Sequence, residues 1–115
     1  MNKLFVIASM ALALFISFTI HASENDFDKV CDYFGELQKM ANEAAMTHQQ
    51  RNTFIMDKIS KDLPAASNAR AAWEAIGYAE AEQRYELFKS AAESVINTPW
   101  QCPAMEKLAP KTGEF

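Results

Sequence analysis

The sequence predicts a small all-α domain: a four-helix bundle-like arrangement with a short C-terminal helix, closed by one disulfide. Three observations carry that prediction. Apolar residues recur three and four positions apart over most of the chain, the spacing that gathers them on one face of a helix. Breakers are few, three glycines and four prolines in 115 residues, and Pro64, Pro99, Pro103 and Pro110 fall between periodic stretches rather than inside them. Cys31 and Cys102, the two cysteines, sit near opposite ends of the part that follows an apolar N-terminal leader. A chain of this length is expected to form one domain.

The leader comes first. Met1-Asn2-Lys3 sets one cation before an uncharged run from Leu4 to Ile20, and Ala22 offers a small residue for cleavage, the pattern of a secretory signal peptide over 1–22. Retention of the same run as an anchor is the alternative. Cleavage removes one base, Lys3, and no acid, so the net charge of −4 becomes one unit more negative. The destination is then the periplasm or the exterior, where disulfides persist, and the even cysteine count predicts that Cys31 pairs with Cys102. Closing a loop of about 72 residues removes roughly 4.4 kcal/mol of unfolded-state freedom in the chain-entropy model. The expected plan is a signal peptide at 1–22, a helical domain at 23–110 and a frayed tail at 111–115.

The first helix is expected from Asn25 or Asp26, which can cap it, with Phe27, Val30, Phe34, Leu37, Ala41 and Ala44 on its inner face. Asp26 and Asp28 suit the positive end of its dipole. A second helix begins at Thr47, because Thr47-His48-Gln49-Gln50 has the capping-box form, and ends near Leu63 before Pro64, with Ile55, Ile59 and Leu63 inward. Ser67 caps a third, whose stripe is Ala69, Ala72, Trp73, Ile76 and Ala79. Continued, that rhythm would require apolar residues where Gln83, Glu86 and Ser90 stand. The stripe resumes instead at Ala81, Tyr85, Phe88, Ala92 and Val95, so a break at Gly77 and a fourth helix from about Ala79 to Asn97 are predicted. One unbroken helix from Ser67 is the alternative. Trp100 is expected over the bundle end, and Pro103 opens a short helix through Leu108.

Several function classes lose their usual signature. With 11 bases against 15 acids and no basic cluster, neither a nucleic-acid surface nor an anionic-membrane patch has its electrostatic footprint. Gly-rich phosphate loops, GxSxG, HExxH and CxxC are absent from the sequence. His48, the one histidine after the leader, lies among glutamines in a capping segment, where a small hydrolase would need a nucleophile and an orienting acid. Cys102 with Met105 could seed a soft-metal site, but a disulfide beside a core methionine explains both residues; no metal and no cofactor are expected. Glu74, Glu80, Glu82, Glu86 and Glu93 read as a solvated face, with Glu82–Arg84 and Glu86–Lys89 as surface pairs.

Met46-Thr47-His48-Gln49-Gln50 resembles, over five residues, a loosened Leu-Thr-x-x-Gln motif of periplasmic stress chaperones of the Spy and CpxP type. The resemblance implies an exported, all-helical protein holding unfolded clients, with Met46, Thr47 and Gln50 structural. That family typically carries two copies, and this chain has one. The capping box accounts for Thr47 and Gln50 by itself.

Apolar side chains outside the inner stripes are the most informative surplus: Tyr33, Met40, Phe54, Met56 and Tyr78. They either widen a core face or form a protein-contact patch. Tyr33, Met40, Phe54, Tyr78 and Trp100 are the contact candidates. The function expected from sequence is an exported protein-binding module, an envelope-stress or accessory factor, whose partner is another protein rather than nucleic acid or, after cleavage, a membrane. An inhibitor or immunity protein for a secreted toxin ranks second, a soft-metal binder or small hydrolase third. Intact-mass measurement of the exported protein should find Ser23 at its N-terminus; Met1 retained in a membrane fraction would make the leader an anchor.

Overall fold

The computed structural model describes residues 25–113, so the predicted signal peptide and residues 114–115 of the predicted tail lie outside the described residues. Five α-helices are described: α1 (Asp26–Lys39), α2 (His48–Asp62), α3 (Asn68–Ile76), α4 (Arg84–Ile96) and α5 (Pro103–Leu108). Short 3₁₀ turns at Glu43–Ala45, Ala81–Gln83 and Ala109–Lys111 complete the path. The all-α class and the single disulfide are as expected from the sequence.

Local chemistry sets most boundaries. Asn25 Oδ1 accepts the Asp28 N–H at 2.9 Å and starts α1. Thr47 and Gln50 form the reciprocal capping box, with Thr47 Oγ1 accepting the Gln50 N–H at 3.0 Å and Gln50 Oε1 accepting the Thr47 N–H at 2.8 Å. Ser67 Oγ accepts the Arg70 N–H at 3.2 Å, and α3 stops at Gly77 as the stripe slip predicted. Asn97 takes the left-handed conformation at φ 59°, which asparagine tolerates, and ends α4.

Two boundaries differ from expectation. α1 stops at Lys39, and Ala41 and Ala44, expected on its inner face, are exposed. Burying two methyl groups gains little, whereas the Arg51 guanidinium draws the Glu43 carbonyl (2.9 Å) and carboxylate (3.0 Å) into the turn that leads to α2. α4 begins at Arg84 rather than near Ala79, because Glu80 is extended and Ala81–Gln83 form a tighter turn. Val95, expected inward, is 50% exposed; the buried face of α4 is Arg84, Tyr85, Phe88 and Ala92.

α1 is the central element, packed on α2, α3 and α5, while α3 packs on α4. Its Phe27, Val30, Phe34 and Leu37 are buried, as are Ile55, Ile59 and Leu63 opposite them. An aromatic chain crosses the core: Phe34 meets Trp73 with ring centroids 5.3 Å apart, Trp73 meets Phe88 at 6.4 Å, and Phe88 meets Phe27 at 5.3 Å and Trp100 at 5.5 Å. The edge-on pairs among these, Phe34–Trp73, Trp73–Phe88 and Phe27–Phe88, add about 0.5–1.5 kcal/mol each beyond area burial.

Cys31 and Cys102 are bonded, with Cα atoms 5.7 Å apart across a separation of 71 residues. Trp100 is buried at the bundle end, donating from Nε1 to Asp28 Oδ1 at 2.9 Å and from its backbone N–H to Glu93 Oε2 at 3.0 Å. The Cys102 N–H reaches the Tyr85 hydroxyl at 3.0 Å.

The tail is not frayed through Gly113. Arg84, expected to pair with Glu82 on the surface, is more than nine-tenths buried and donates from Nη1 to the carbonyls of Thr112 (2.9 Å) and Ala109 (3.4 Å). Arg51 Nη1 donates to the Lys111 carbonyl at 3.2 Å, and the Gly113 N–H donates to the His48 carbonyl at 3.1 Å. Lys89 likewise pairs with Glu93, one turn after it, at 2.8 Å, instead of with Glu86, one turn before it. Replacing both cysteines with serine should lower the unfolding free energy by about 2–4 kcal/mol in chemical denaturation. An unchanged midpoint would mean that packing alone closes the loop.

Candidate functional site

The turn between α3 and α4 presents the one large aromatic that stands free among the described residues. The Tyr78 N–H donates to the Ala75 carbonyl at 3.3 Å and the Ala79 N–H to the Ile76 carbonyl at 2.9 Å, so the helix closes on itself and turns the Tyr78 side chain outward. It is 91% exposed. Gly77 permits the tight approach, because a Cβ there would lie 3.3 Å from the Glu74 carbonyl oxygen.

Tyr78 is a ridge between two open hollows. One, of about 410 Å³, has Asn52 and Met56 of α2 on one side, Trp73 and Glu74 of α3 on another, and Thr112 and Gly113 of the tail as its third wall. The other, of about 350 Å³, is lined by His48, Tyr78, Glu80 and Arg84 among others. Trp73 is a core residue whose indole also meets Phe34 and Phe88, so the floor of the larger hollow is rigid. A rigid apolar floor beneath an exposed amphipathic ring can take an apolar side chain of a partner and hydrogen-bond its main chain.

The structure does not bring the five sequence-derived contact candidates together. Tyr33 is a core residue, 5% exposed, whose hydroxyl donates to Asp62 Oδ2 at 3.0 Å and ties α1 to the end of α2. Trp100 is buried by the contacts already described. Neither presents a surface, which corrects the expectation for both. The reason is the same: each amphipathic ring found an acid, Asp62 or Asp28, that satisfies its polar tip inside the fold. Met40 and Phe54 are half-buried against the core, and the Lys58 ammonium lies 5.5 Å from the Phe54 ring centroid. Tyr78 alone of the five is free. Met56, noted in the sequence as surplus, is the apolar wall beside it.

The remaining chemistry-bearing residues are accounted for locally. The His48 side chain is exposed in the first turn of α2. The Cys102 sulfur is bonded to Cys31 and accepts the Met105 N–H at 3.4 Å, while Met105 is fully buried, so the soft-metal pair is spent on the disulfide and the core. Glu93 is held below the usual carboxylate range by the hydrogen bond from Lys89 and then by the Trp100 N–H, and Lys89 is raised chiefly by the same contact with Glu93.

No family model matches the chain, and neither a curated protein nor a solved structure matches it. In the segment that resembles the chaperone motif, Thr47 and Gln50 are engaged with each other as a helix cap.

Burial raises the Tyr33 hydroxyl well above its ordinary pKa of 10.0, with the Asp62 hydrogen bond and charge acting in the same direction. Tyr33 therefore stabilises the fold fully below that value, and its contribution is lost as pH rises through it, where the unfolded chain ionises first. Denaturation across pH 9 to about 11 should show a fall in stability that Tyr33→Phe flattens. At neutral pH, Tyr33→Ala should cost about 2–5 kcal/mol, as for any large core side chain.

Proposed function

We propose that this chain is an exported protein-binding module, an envelope-stress or accessory factor that works by contact rather than by catalysis, and that the contact is made at Tyr78 and the hollow beside it. The observation that carries the reading is a large aromatic left 91% exposed on a hydrogen-bonded turn, next to a floor of Trp73 and Met56. Isolated exposed apolar residues are common, but tyrosine beside a preformed apolar hollow has the composition favoured at the centre of protein contacts. The disulfide agrees with an oxidising destination, and no helix of the described residues is long and apolar enough to cross a membrane. The partner on this reading is another protein.

Tyr78→Ala removes a ring that supports nothing beneath it. Its unfolding free energy should change by less than about 0.5 kcal/mol while affinity for a partner captured from envelope extract falls by about 1 kcal/mol or more. Capture of many unfolded proteins favours the accessory reading, and one stoichiometric partner favours an inhibitor or immunity protein. Equal capture by wild type and Tyr78→Ala removes this surface from consideration.

A further inference from the structure

The stretch of chain that carries Tyr78 is acidic on its outside. Glu74, Glu80, Glu82 and Glu86 are all exposed, and the one base between them, Arg84, is buried and holds the carbonyls of Ala109 and Thr112. Glu80 lines the smaller hollow beside Tyr78, and Glu74 lines the larger. Among the described residues, Glu74 is the one charged side chain in the lining of the larger hollow, set beside the Tyr78 and Trp73 rings and the Met56 thioether. Its present pairing is loose. Arg70 Nε lies 3.5 Å from the Glu74 carboxylate, whose side chain is 51% exposed, and such surface pairs contribute little. Arg70 also donates from Nη1 to the Leu63 carbonyl at 3.1 Å, so Glu74 can turn to another cation without leaving Arg70 bare.

A wholly apolar occupant leaves that carboxylate unanswered. Covering Glu74 with it costs desolvation that nothing offsets. An arginine meets every part of the lining: its methylene stem suits Met56 and Trp73, its planar fork suits the Glu74 carboxylate, and its flat face suits the exposed Tyr78 ring. An ammonium, a compact and strongly hydrated point charge, answers the carboxylate but offers neither fork nor flat face. Resting on the reading of this surface as a protein-binding one, we infer that the partner is a protein with a basic face, one of whose arginines enters the larger hollow between Tyr78 and Glu74. The exposed Glu80, Glu82 and Glu86 extend the same negative field around it. That field speeds encounter with basic surfaces and turns acidic ones away.

The test titrates the intact, disulfide-bonded protein with blocked tripeptides whose central residue, between two glycines, is arginine, lysine or citrulline, the last keeping the shape of arginine without its charge. The arginine peptide should shift the NMR signals of the Tyr78 ring and the Trp73 indole. The citrulline peptide should bind about tenfold more weakly or worse, and the lysine peptide about threefold more weakly. Tyr78→Ala and Glu74→Gln should each weaken the arginine peptide by about fivefold. Glu106→Gln removes the same charge from an exposed position on α5, outside both hollows, and should change binding by less than about 1.5-fold. All three positions are exposed, and unchanged circular dichroism confirms that each variant keeps the fold. Equal binding of the arginine and citrulline peptides, equal losses in Glu74→Gln and Glu106→Gln, or no shift at Tyr78 and Trp73 overturns the arginine partner. Envelope capture that still depends on Tyr78 would then leave the binding-module reading standing; indifference of both assays to Tyr78→Ala removes both.

Discussion

The bond between Cys31 and Cys102 decides where the last part of the chain can go. It joins the middle of α1 to the residue that caps α5, and α5 therefore lies on α1 with Met105 and Leu108 fully buried. Trp100, two residues before the bond, is brought to the end of the bundle, where Asp28 and Glu93 satisfy its indole and backbone donors. From α5 the chain runs onward across the start of α4 and the first turn of α2. That route makes the tail a wall of the hollow beside Tyr78, so a covalent constraint on one side of the molecule shapes a surface on the other.

Two buried arginines convert that route into a defined position. An arginine cannot shed its charge on burial, so each must be met by acceptors inside the fold. For Arg51 these are the Glu43 carboxylate and carbonyl and the Lys111 carbonyl; for Arg84 they include the carbonyls of Ala109 and Thr112. The α1–α2 turn and the tail are thereby fixed through the same guanidinium of Arg51. This explains why α1 ends before Ala41 and why the tail is ordered through Gly113, two departures from the sequence reading with one cause.

What could be read in the sequence and what could not divide along that line. The capping box at Thr47, the Ser67 cap, the slip at Gly77, Pro103 at the head of α5 and the cysteine pair are signals written in residue types at short spacing, and each appears where expected. The buried faces of α2 and α3 follow from periodicity in the same way. Arg51 and Arg84 were opaque because most of the partners named above are backbone carbonyls, which every residue carries and no sequence pattern marks. Tyr33, Trp100 and Tyr78 are chemically similar amphipathic aromatics, and sequence gave no means of ranking them. Asp62 and Asp28 decide that two are internal, and those partners lie far away in the chain. Tyr78 stands outside, on a turn that closes on Ala75 and Ile76.

Stability is unevenly spread along the tail, and the unevenness has functional meaning under the proposed reading. α5 is fastened by a covalent bond and by large side chains with no solvent exposure. The tail beyond it, residues 109–113, has the buried Ala109 and Thr112 side chains and a few polar contacts, each worth about 0.5–1.5 kcal/mol net, or somewhat more where a guanidinium donates. Local opening of such a segment costs a fraction of global unfolding, so it belongs to the low-stability end of the molecule even though it is well ordered. Opening of the tail, which has no covalent tie of its own, would move the wall beside Tyr78 while the disulfide and the aromatic core on which Trp73 rests stay in place.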